Sequence, residues 1–308
     1  MNVLTGPHLT WPRPTQATGL SVGVFDGVHL GHLALLDAMS AEGLPIAVAT
    51  FDPHPLAVIA PERAPRLLCS LAERIDRLAA AGVDTVAVVP FDETMREMTA
   101  QDFVLEVLVG GLNPSMVAAG EDFRFGKDRA GDLALLESLG SVHHFEVLGV
   151  GLVGDSDAMS SSRIRALITA GEVVDASRML GRAFEVTGSV VSGAGRGASI
   201  GFPTANISLA PELLLPGRGV YAVRAAVDGG AYDAVANIGV RPTFGIDSED
   251  ILEVHLLDES LDLSAKPISV SFVARLRDEQ RFDGIDALRS QIAHDIDRAR
   301  TMLATRTP

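Results

Sequence analysis

Two short segments carry residue types that could handle phosphate. The first is Gly23 to His32, GVFDGVHLGH. Its spacing predicts a strand ending at Phe25, a tight turn allowed by Gly27 and Gly31, and a helix from about Leu33. A turn of this kind brings backbone N–H groups and the positive end of a helix to the mouth of a sheet, where phosphate binds readily. His29 and His32 stand three apart, so on a first helical turn both rings reach the same side. Paired imidazoles there can donate to phosphate oxygens as charge builds during transfer at phosphorus. Two histidines at a turn can equally cap the helix or sit at the surface. The second segment is Gly195 to Ile207, GRGASIGFPTANI. Gly195, Gly197 and Gly201 would let the backbone approach a phosphate chain closely. Thr204 and Asn206, two apart on an extended stretch, present two neutral oxygens to one side. That donor set suits a Mg²⁺ shared with phosphates and water. The same residues also compose an ordinary Gly/Pro turn with Asn as a turn residue.

The wider context of the first segment resembles the signature of the nucleotidylyltransferase superfamily, specifically its flavin adenylyltransferase branch. Thr50 to Pro55 (TFDPHP), Gly120 to Gly126 (GEDFRFG) and Ser160 to Arg165 (SSSRIR) look like further motifs of that branch, in the same order. In the last of these, serines at a helix start would cap it, with Arg163 aimed at polyphosphate. The resemblance implies flavin or nucleotide binding by Gly23, Phe25, Asp26, Gly27, His54, Asp122, Ser160, Ser161 and Ser162. It implies catalysis by His29, His32 and Arg163, which would stabilise the transition state. Met159 and Ser162 stand where the family pattern usually has Ile and Thr.

Gly201 to Asn206, Gly-Phe-Pro-Thr-Ala-Asn, is similar to the signature of riboflavin kinases, which are barrels unlike other kinases. Gly219-Val220-Tyr221, Asn237 to Phe244 (NIGVRPTF) and Glu253 to Asp258 (EVHLLD) support it. This match implies that Glu253 is the general base for the ribityl 5′-hydroxyl and that Thr204 and Asn206 hold Mg²⁺. It puts Gly195, Arg196, Gly197, Gly201 and Pro203 around the bound substrates. A carboxylate on an otherwise apolar strand fits a basic role, since partial burial raises its proton affinity. Ala198 stands where many relatives carry Arg, and Ser264-Ala265 where Tyr-Gly is common. In order, the two resemblances are those of the bacterial bifunctional riboflavin kinase/FAD synthetases. They imply ATP, riboflavin, FMN and FAD as substrates and products. A transferase for another phosphorylated acceptor, such as pantetheine phosphate or glycerol phosphate, is one alternative. A flavin-binding sensor or storage protein with a decayed site is the other.

The elements that must position these residues have two different periods. Between Ser21 and about Ser177, apolar runs (SVGVF, Leu44–Phe51, Val83–Val89, Ser115–Ala119) alternate with helical stretches, one marked by Leu67, Leu71, Ile75 and Leu78. Another follows a Thr99 cap through Phe103 and Val107. All-apolar strands alternating with helices predict a doubly wound, Rossmann-like α/β domain at residues 1–178. Later runs alternate as half-buried strands do: Val186–Val191, Gly219–Val227, Tyr232–Asn237, Ile251–Asp258 and Ile268–Arg275. They predict a domain at residues 183–308 made of a small antiparallel β-barrel and one C-terminal amphipathic helix through Ile285, Leu288, Ile292, Ile296 and Leu303.

Two domains also suit 308 residues of which 47% are hydrophobic. The 25 Lys and Arg against 40 Asp and Glu leave a formal charge of −15, which disfavours nucleic-acid partners while permitting small phosphorylated ligands. Cys69 is the only cysteine, so an internal disulfide and a Cys-based zinc cluster are excluded. With no signal-peptide pattern and no apolar run long enough to span a bilayer, a soluble cytoplasmic protein without membrane partners is expected.

Overall fold

The computed structural model describes residues 1–151, 159–192, 197, 200–240, 250–259, 261 and 263–305. By contacts the chain divides into two compact units, Met1–Ser161 and Ser162–Pro308.

The first unit is built on a six-stranded parallel sheet. In chain order its elements are β1 (Asn2–Leu4), β2 (Thr18–Val22), α1 (Leu30–Ser40), β3 (Ile46–Asp52), α2 (Pro55–Ile59), α3 (Leu71–Ala80), β4 (Thr85–Pro90) and α4 (Glu93–Glu97). There follow α5 (Ala100–Asp102), which continues as a π-helical stretch over Phe103–Leu112, β5 (Pro114–Gly120), α6 (Leu133–His143) and β6 (Glu146–Val150). Strand order is β1-β4-β3-β2-β5-β6, all pairs parallel. The pleat sends alternate residues to opposite faces. Leu20, Ala47, Ala49, Val89 and Val117 pack with the helical stretch through Phe103 and with Leu136 of α6. Ile46, Val48, Val86, Met116 and Ala118 pack with Leu36 and Met39 of α1 and Leu78 of α3. Both faces are thus covered, which is why these strands read as unbroken apolar runs. The short outer strands β1 and β6 gave no such signal. β6 is half exposed throughout, in the pattern Glu146 to Val150 out and partly in.

Two starting points differ from the sequence expectation. β2 ends at Val22 rather than Phe25, because Phe25 (φ 53°) and Val28 (φ 42°) are left-handed and leave the strand. The helix begins at Leu30 rather than Leu33, with His29 as its N-cap.

The second unit opens with α7 (Ser161–Ala170), whose first residue lies in the first unit, and α8 (Val173–Leu180). It continues with β7 (Phe184–Val191), β8 (Ala205–Ser208), β9 (Gly219–Val227), β10 (Gly230–Val240), β11 (Asp250–Leu256), β12 (Pro267–Arg277) and α9 (Ile285–Thr305). The six strands close into an antiparallel barrel in the order β10-β11-β8-β7-β12-β9. Closure removes the exposed edges of the sheet. Leu252, Val254 and Leu256 of β11 and Ile268, Val270, Phe272, Ala274 and Leu276 of β12 are buried, alternating with more exposed neighbours. Helices α7 and α8 pack with this unit although their period is that of the α/β half. Val173, Ala176, Met179 and Leu180 are buried, and α8 lies against β7 and β12. The α7 end is fixed by Gly217 N–H donating to Ile168 O (3.0 Å) and by Arg275 donating to Ala170 O (3.3 Å). The contact division therefore falls earlier in the chain than the change of hydrophobic period at 178–183.

Candidate functional sites

In a doubly wound sheet the ligand crevice forms beyond the carboxyl ends of the strands, where the order reverses. Here the chain runs from β2 outward through β3 and β4, then returns to place β5 on the other side of β2. The three motif loops GVFDGVHLGH, TFDPHP and GEDFRFG follow β2, β3 and β5, three neighbours at that switch point. Topology thus collects motifs that are far apart in sequence.

The loop after β2 ends in a capped helix. His29 N–H donates to His32 Nδ1 at 3.2 Å, and the two rings stack with centroids 3.6 Å apart and planes 18° from parallel. Because Nδ1 of His32 accepts, the neutral ring carries its proton on Nε2 and can donate there. Phe25 lies against the His32 ring, 4.8 Å between centroids. Within the described residues, the Leu30 and Gly31 N–H groups that open α1 have no hydrogen-bond acceptor. Together with the helix dipole they form a seat for an anion. Gly31 makes room for this arrangement, since a Cβ there would stand 3.1 Å from the His29 ring. Ser161, the first residue of α7, donates its hydroxyl to Asp26 O at 3.0 Å and ties the SSSRIR start to this loop.

Several residues expected at the ligand have buried side chains that support the loop. Asp26 is 1% exposed, and its carboxylate accepts from the N–H groups of Leu68 (2.9 and 3.0 Å) and Cys69 (3.3 Å). Gly27 (φ 83°) donates its N–H to Cys69 Sγ at 3.2 Å. Phe25 belongs to the core under α1 and α3, and Gly23 accommodates its ring, 3.3 Å from where a Cβ would be. Phe125 of GEDFRFG is likewise core. The packing of these side chains shapes the loop. Burial pushes the Cys69 thiol up, the Asp26 carboxylate adds to that shift, and the Arg77 and Arg74 guanidiniums oppose it. His54 caps α2, its Nδ1 accepting from Leu56 N–H at 3.1 Å. Asp122 is exposed just beyond β5, and Ser160, Ser162 and Arg163 are part or fully exposed at the start of α7.

The barrel forms a second site on its outer face, under α9, where a cavity of about 590 Å³ opens. Directly opposed residues on paired strands share a face. Asn206 of β8 opposes Glu253 of β11, which opposes Asn237 of β10, which opposes Val220 of β9, which opposes Arg277 of β12. All five line the cavity, as do Gly197 and Thr204. Sequence alternation that buries Leu252, Val254 and Leu256 is what turns Glu253 and His255 outward to this row. His255 Nδ1 donates to Pro203 O at 2.7 Å, so Pro203 and His255 lock the GFPTAN segment onto β11. Gly197 permits close folding: a Cβ there would meet Phe202 O at 2.3 Å and Thr204 Oγ1 at 3.1 Å. Gly201 (φ 90°) makes the turn and does not line the cavity. Gly195, Arg196 and Ala198 lie outside the described residues.

The far wall of this cavity was not anticipated. Asp295 of α9 is 2% exposed and accepts from Arg277 (Nε at 2.9 and 3.1 Å, and a terminal nitrogen at 2.8 Å) and from Gln291 (2.8 Å). Phe282 lies under the Arg277 guanidinium at 5.7 Å. Glu279 closes over Gly239, where a Cβ would meet its Oε1 at 2.4 Å. A charged residue on the apolar side of the predicted C-terminal helix was the available signal: Asp295 sits beside Ile292 and Ile296. The same signal marks Arg74, three residues after Leu71 and four before Leu78, on the buried face of α3.

Residues 12–164 match the family model described as FAD synthetase, and residues 180–303 the one described as riboflavin kinase. A relative from Escherichia coli (strain K12), described as a bifunctional riboflavin kinase/FMN adenylyltransferase, is 40% identical over 302 residues, 96% of each chain. One of the same description from Pseudomonas fluorescens is 38% identical, covering 99% of this chain and 98% of its own. A crystal structure from Streptococcus pneumoniae, described as a macrolide-efflux protein, has a TM-score of 0.88 at 30% identity, covering 97% of this chain and 99% of that one. Among the described residues here, no helix is long and apolar enough to cross a membrane. The family models fall on the two units that hold the two sites, in the same order, and the relatives match from end to end: the chain belongs to the bifunctional riboflavin kinase/FMN adenylyltransferase family.

Proposed function

We propose that this chain makes both flavin cofactors in sequence. The barrel phosphorylates riboflavin with ATP to give FMN and ADP; the α/β unit then transfers AMP from a second ATP to FMN, giving FAD and pyrophosphate. Residues 183–308 carry the first reaction and residues 1–178 the second. The observation that carries the reading is the cross-strand row Asn206–Glu253–Asn237, which brings a carboxylate and two neutral amides from separate motifs to one cavity.

In the barrel, Glu253 orients the ribityl 5′-hydroxyl and takes its proton as the oxygen attacks the γ-phosphorus. The cavity walls from β9–β12 and α9 exclude water from that step. Thr204 and Asn206 fit a Mg²⁺ ion, being neutral oxygen donors beside a site for phosphates. The ion would supply charge neutralisation on the phosphate oxygens. In the α/β unit the FMN phosphate is already an anion and attacks the α-phosphorus without a covalent enzyme intermediate. His29, His32 and Arg163 offset the charge that accumulates on the transferred group, with the start of α1 assisting.

Incubating the pure protein with riboflavin, ATP and Mg²⁺ and separating the flavins by chromatography tests the reading. FMN followed by FAD is expected. FMN alone would remove the adenylyltransferase, and riboflavin bound but unchanged would favour a sensor or storage protein. Replacing FMN with pantetheine phosphate or glycerol phosphate as acceptor should give no pyrophosphate.

A further inference from the structure

Four of the buried polar or charged residues of the first unit, Asp26, His29, Thr50 and Arg74, belong to or adjoin the loops after β2 and β3. Arg74 stands apart from the motifs. It projects from α3, is 1% exposed, and has only neutral acceptors: one terminal nitrogen donates to Thr50 Oγ1 (3.1 Å) and Phe51 O (2.9 Å). Among the described residues its Nε has no hydrogen-bond acceptor, and no carboxylate lies within ion-pair distance of the guanidinium. A guanidinium does not lose its proton in a protein, so a full positive charge stays in the interior. Burying such a charge without a counter-ion is costly for folding alone, and an apolar residue of similar size would fit better at a core position.

Its placement gives the cost a use. Thr50 Oγ1 in turn donates to Val24 O at 2.8 Å. The chain Arg74–Thr50–Val24 therefore ties the carboxyl end of β3 to the segment that leads into Phe25, Val28 and the stacked histidines. Phe25 and Val28 hold left-handed backbone that L side chains rarely adopt, and for the β-branched Val28 it is a genuine outlier. Such a loop persists only where its surroundings over-determine it. We infer that Arg74 is a positioning residue for adenylyl transfer, clamping the ends of β2 and β3 beneath the histidine loop and adding a fixed positive charge below the site of the phosphates. It touches no substrate and acts through Thr50, Val24 and the loop. The inference rests on the adenylyltransferase reading of this unit.

The test uses the full chain and three variants: Arg74→Met, which keeps the stem and removes the charge, Arg74→Lys, which keeps the charge, and Thr50→Val, which keeps the shape and breaks the relay. Each is assayed for FAD from supplied FMN and for FMN from riboflavin, so the barrel reports on whether the chain is folded. Arg74→Met should lower kcat for FAD formation by about 10- to 100-fold with little change in KM, because misplaced histidines fail in the transition state. Thr50→Val should lower it in the same direction but less, and Arg74→Lys should recover part of the loss. Riboflavin phosphorylation should stay at the parent rate in all three. FAD formation by Arg74→Met within about twofold of the parent overturns the inference. So does a loss confined to KM, a loss that Arg74→Lys fails to relieve, or an equal loss of both activities. A parent chain that makes no FAD from FMN would instead overturn the reading of the unit itself.

Discussion

The two sites treat phosphate in opposite ways. Around the loop after β2 the structure gathers hydrogen-bond donors: the stacked His29 and His32 rings and the open N–H groups of α1. Around the barrel cavity it gathers carboxylates: Glu253, Glu279 and Asp295, with the lining Arg277 already held by Asp295. An acidic cavity repels polyphosphate unless a divalent cation bridges the two, whereas a loop of N–H donors can receive the phosphate directly. The chemistry explains the choice. The kinase nucleophile is a neutral hydroxyl that needs a base, and a carboxylate supplies one. The adenylylation nucleophile is an anion already and needs no base, and the Asp26 carboxylate of that loop is turned into the core and held by the Leu68 and Cys69 N–H groups.

That contrast can be broken most sharply by cutting the chain. Residues 162–308, one compact unit by contacts, should phosphorylate riboflavin and form no FAD at all. A chain beginning at 183 should keep the kinase but melt at lower temperature, since it loses the buried Val173, Ala176, Met179 and Leu180 of α8. Flavin chromatography and thermal melts of both pieces check this, and FAD from either piece would end the assignment of sites to units. Next in size is Glu253→Gln, which keeps shape and removes the base. The kinase rate should fall ~10²–10⁴-fold while supplied FMN still becomes FAD. The mirror experiment is His29→Ala, which should cost ~10²–10³ in FAD formation and leave the kinase intact. If either substitution slows both reactions together, the two sites are not chemically separate.

A smaller effect is expected from Asp295→Asn. It leaves Arg277, whose side chain is 13% exposed, beside a neutral amide, and a hydrogen bond to a charged group is worth about 1.5–3 kcal/mol. The kinase should lose stability by that order in denaturant titrations that follow its activity. A melt unchanged from the parent would mean that the pair contributes only to ligand binding.

Residue spacing carried the parts of this molecule that repeat. β9, read as Gly219–Val227, begins and ends there, and the central strands β3–β5 were visible because both faces are covered. The edge strands β1 and β6 were not, since a short strand with exposed positions has no period to detect. β8 was read only as an extended stretch, because four residues are too few to alternate convincingly. Of the residues named from the motifs, Thr204, Asn206 and Glu253 line one cavity, and His32 stacks on His29 at the start of α1. That Asp26 and Phe25 turn their side chains into the core was not legible, because a motif records which residue stands at a position and not which way it points. Arg74, Glu279 and Asp295 were missed because they join other elements through tertiary contacts between segments distant in sequence, and Asn237 was seen as part of a motif without its place beside Glu253.

The smallest expected effect tests whether the first site depends on fine placement. Gly31 is the second residue of α1, and alanine is the better helix former there by up to ~1 kcal/mol. On stability alone, Gly31→Ala should therefore be neutral or favourable. A Cβ at that position would lie 3.1 Å from the His29 ring and 3.6 Å from Met159 Cβ, so the ring must shift by a few tenths of an ångström. Misplacement by 1 Å can cost ~10² in rate, so a shift of this size should slow FAD formation by roughly two- to fivefold. The barrel has no part in that contact, and FMN formation should not change. The measurement is the ratio of the two activities in one preparation, beside its melting temperature. A variant that melts no lower than the parent yet forms FAD more slowly fits a site limited by histidine placement. An unchanged ratio would show that the stacked rings tolerate the displacement, and that the donors at the start of α1 carry more of the first site than the histidines do.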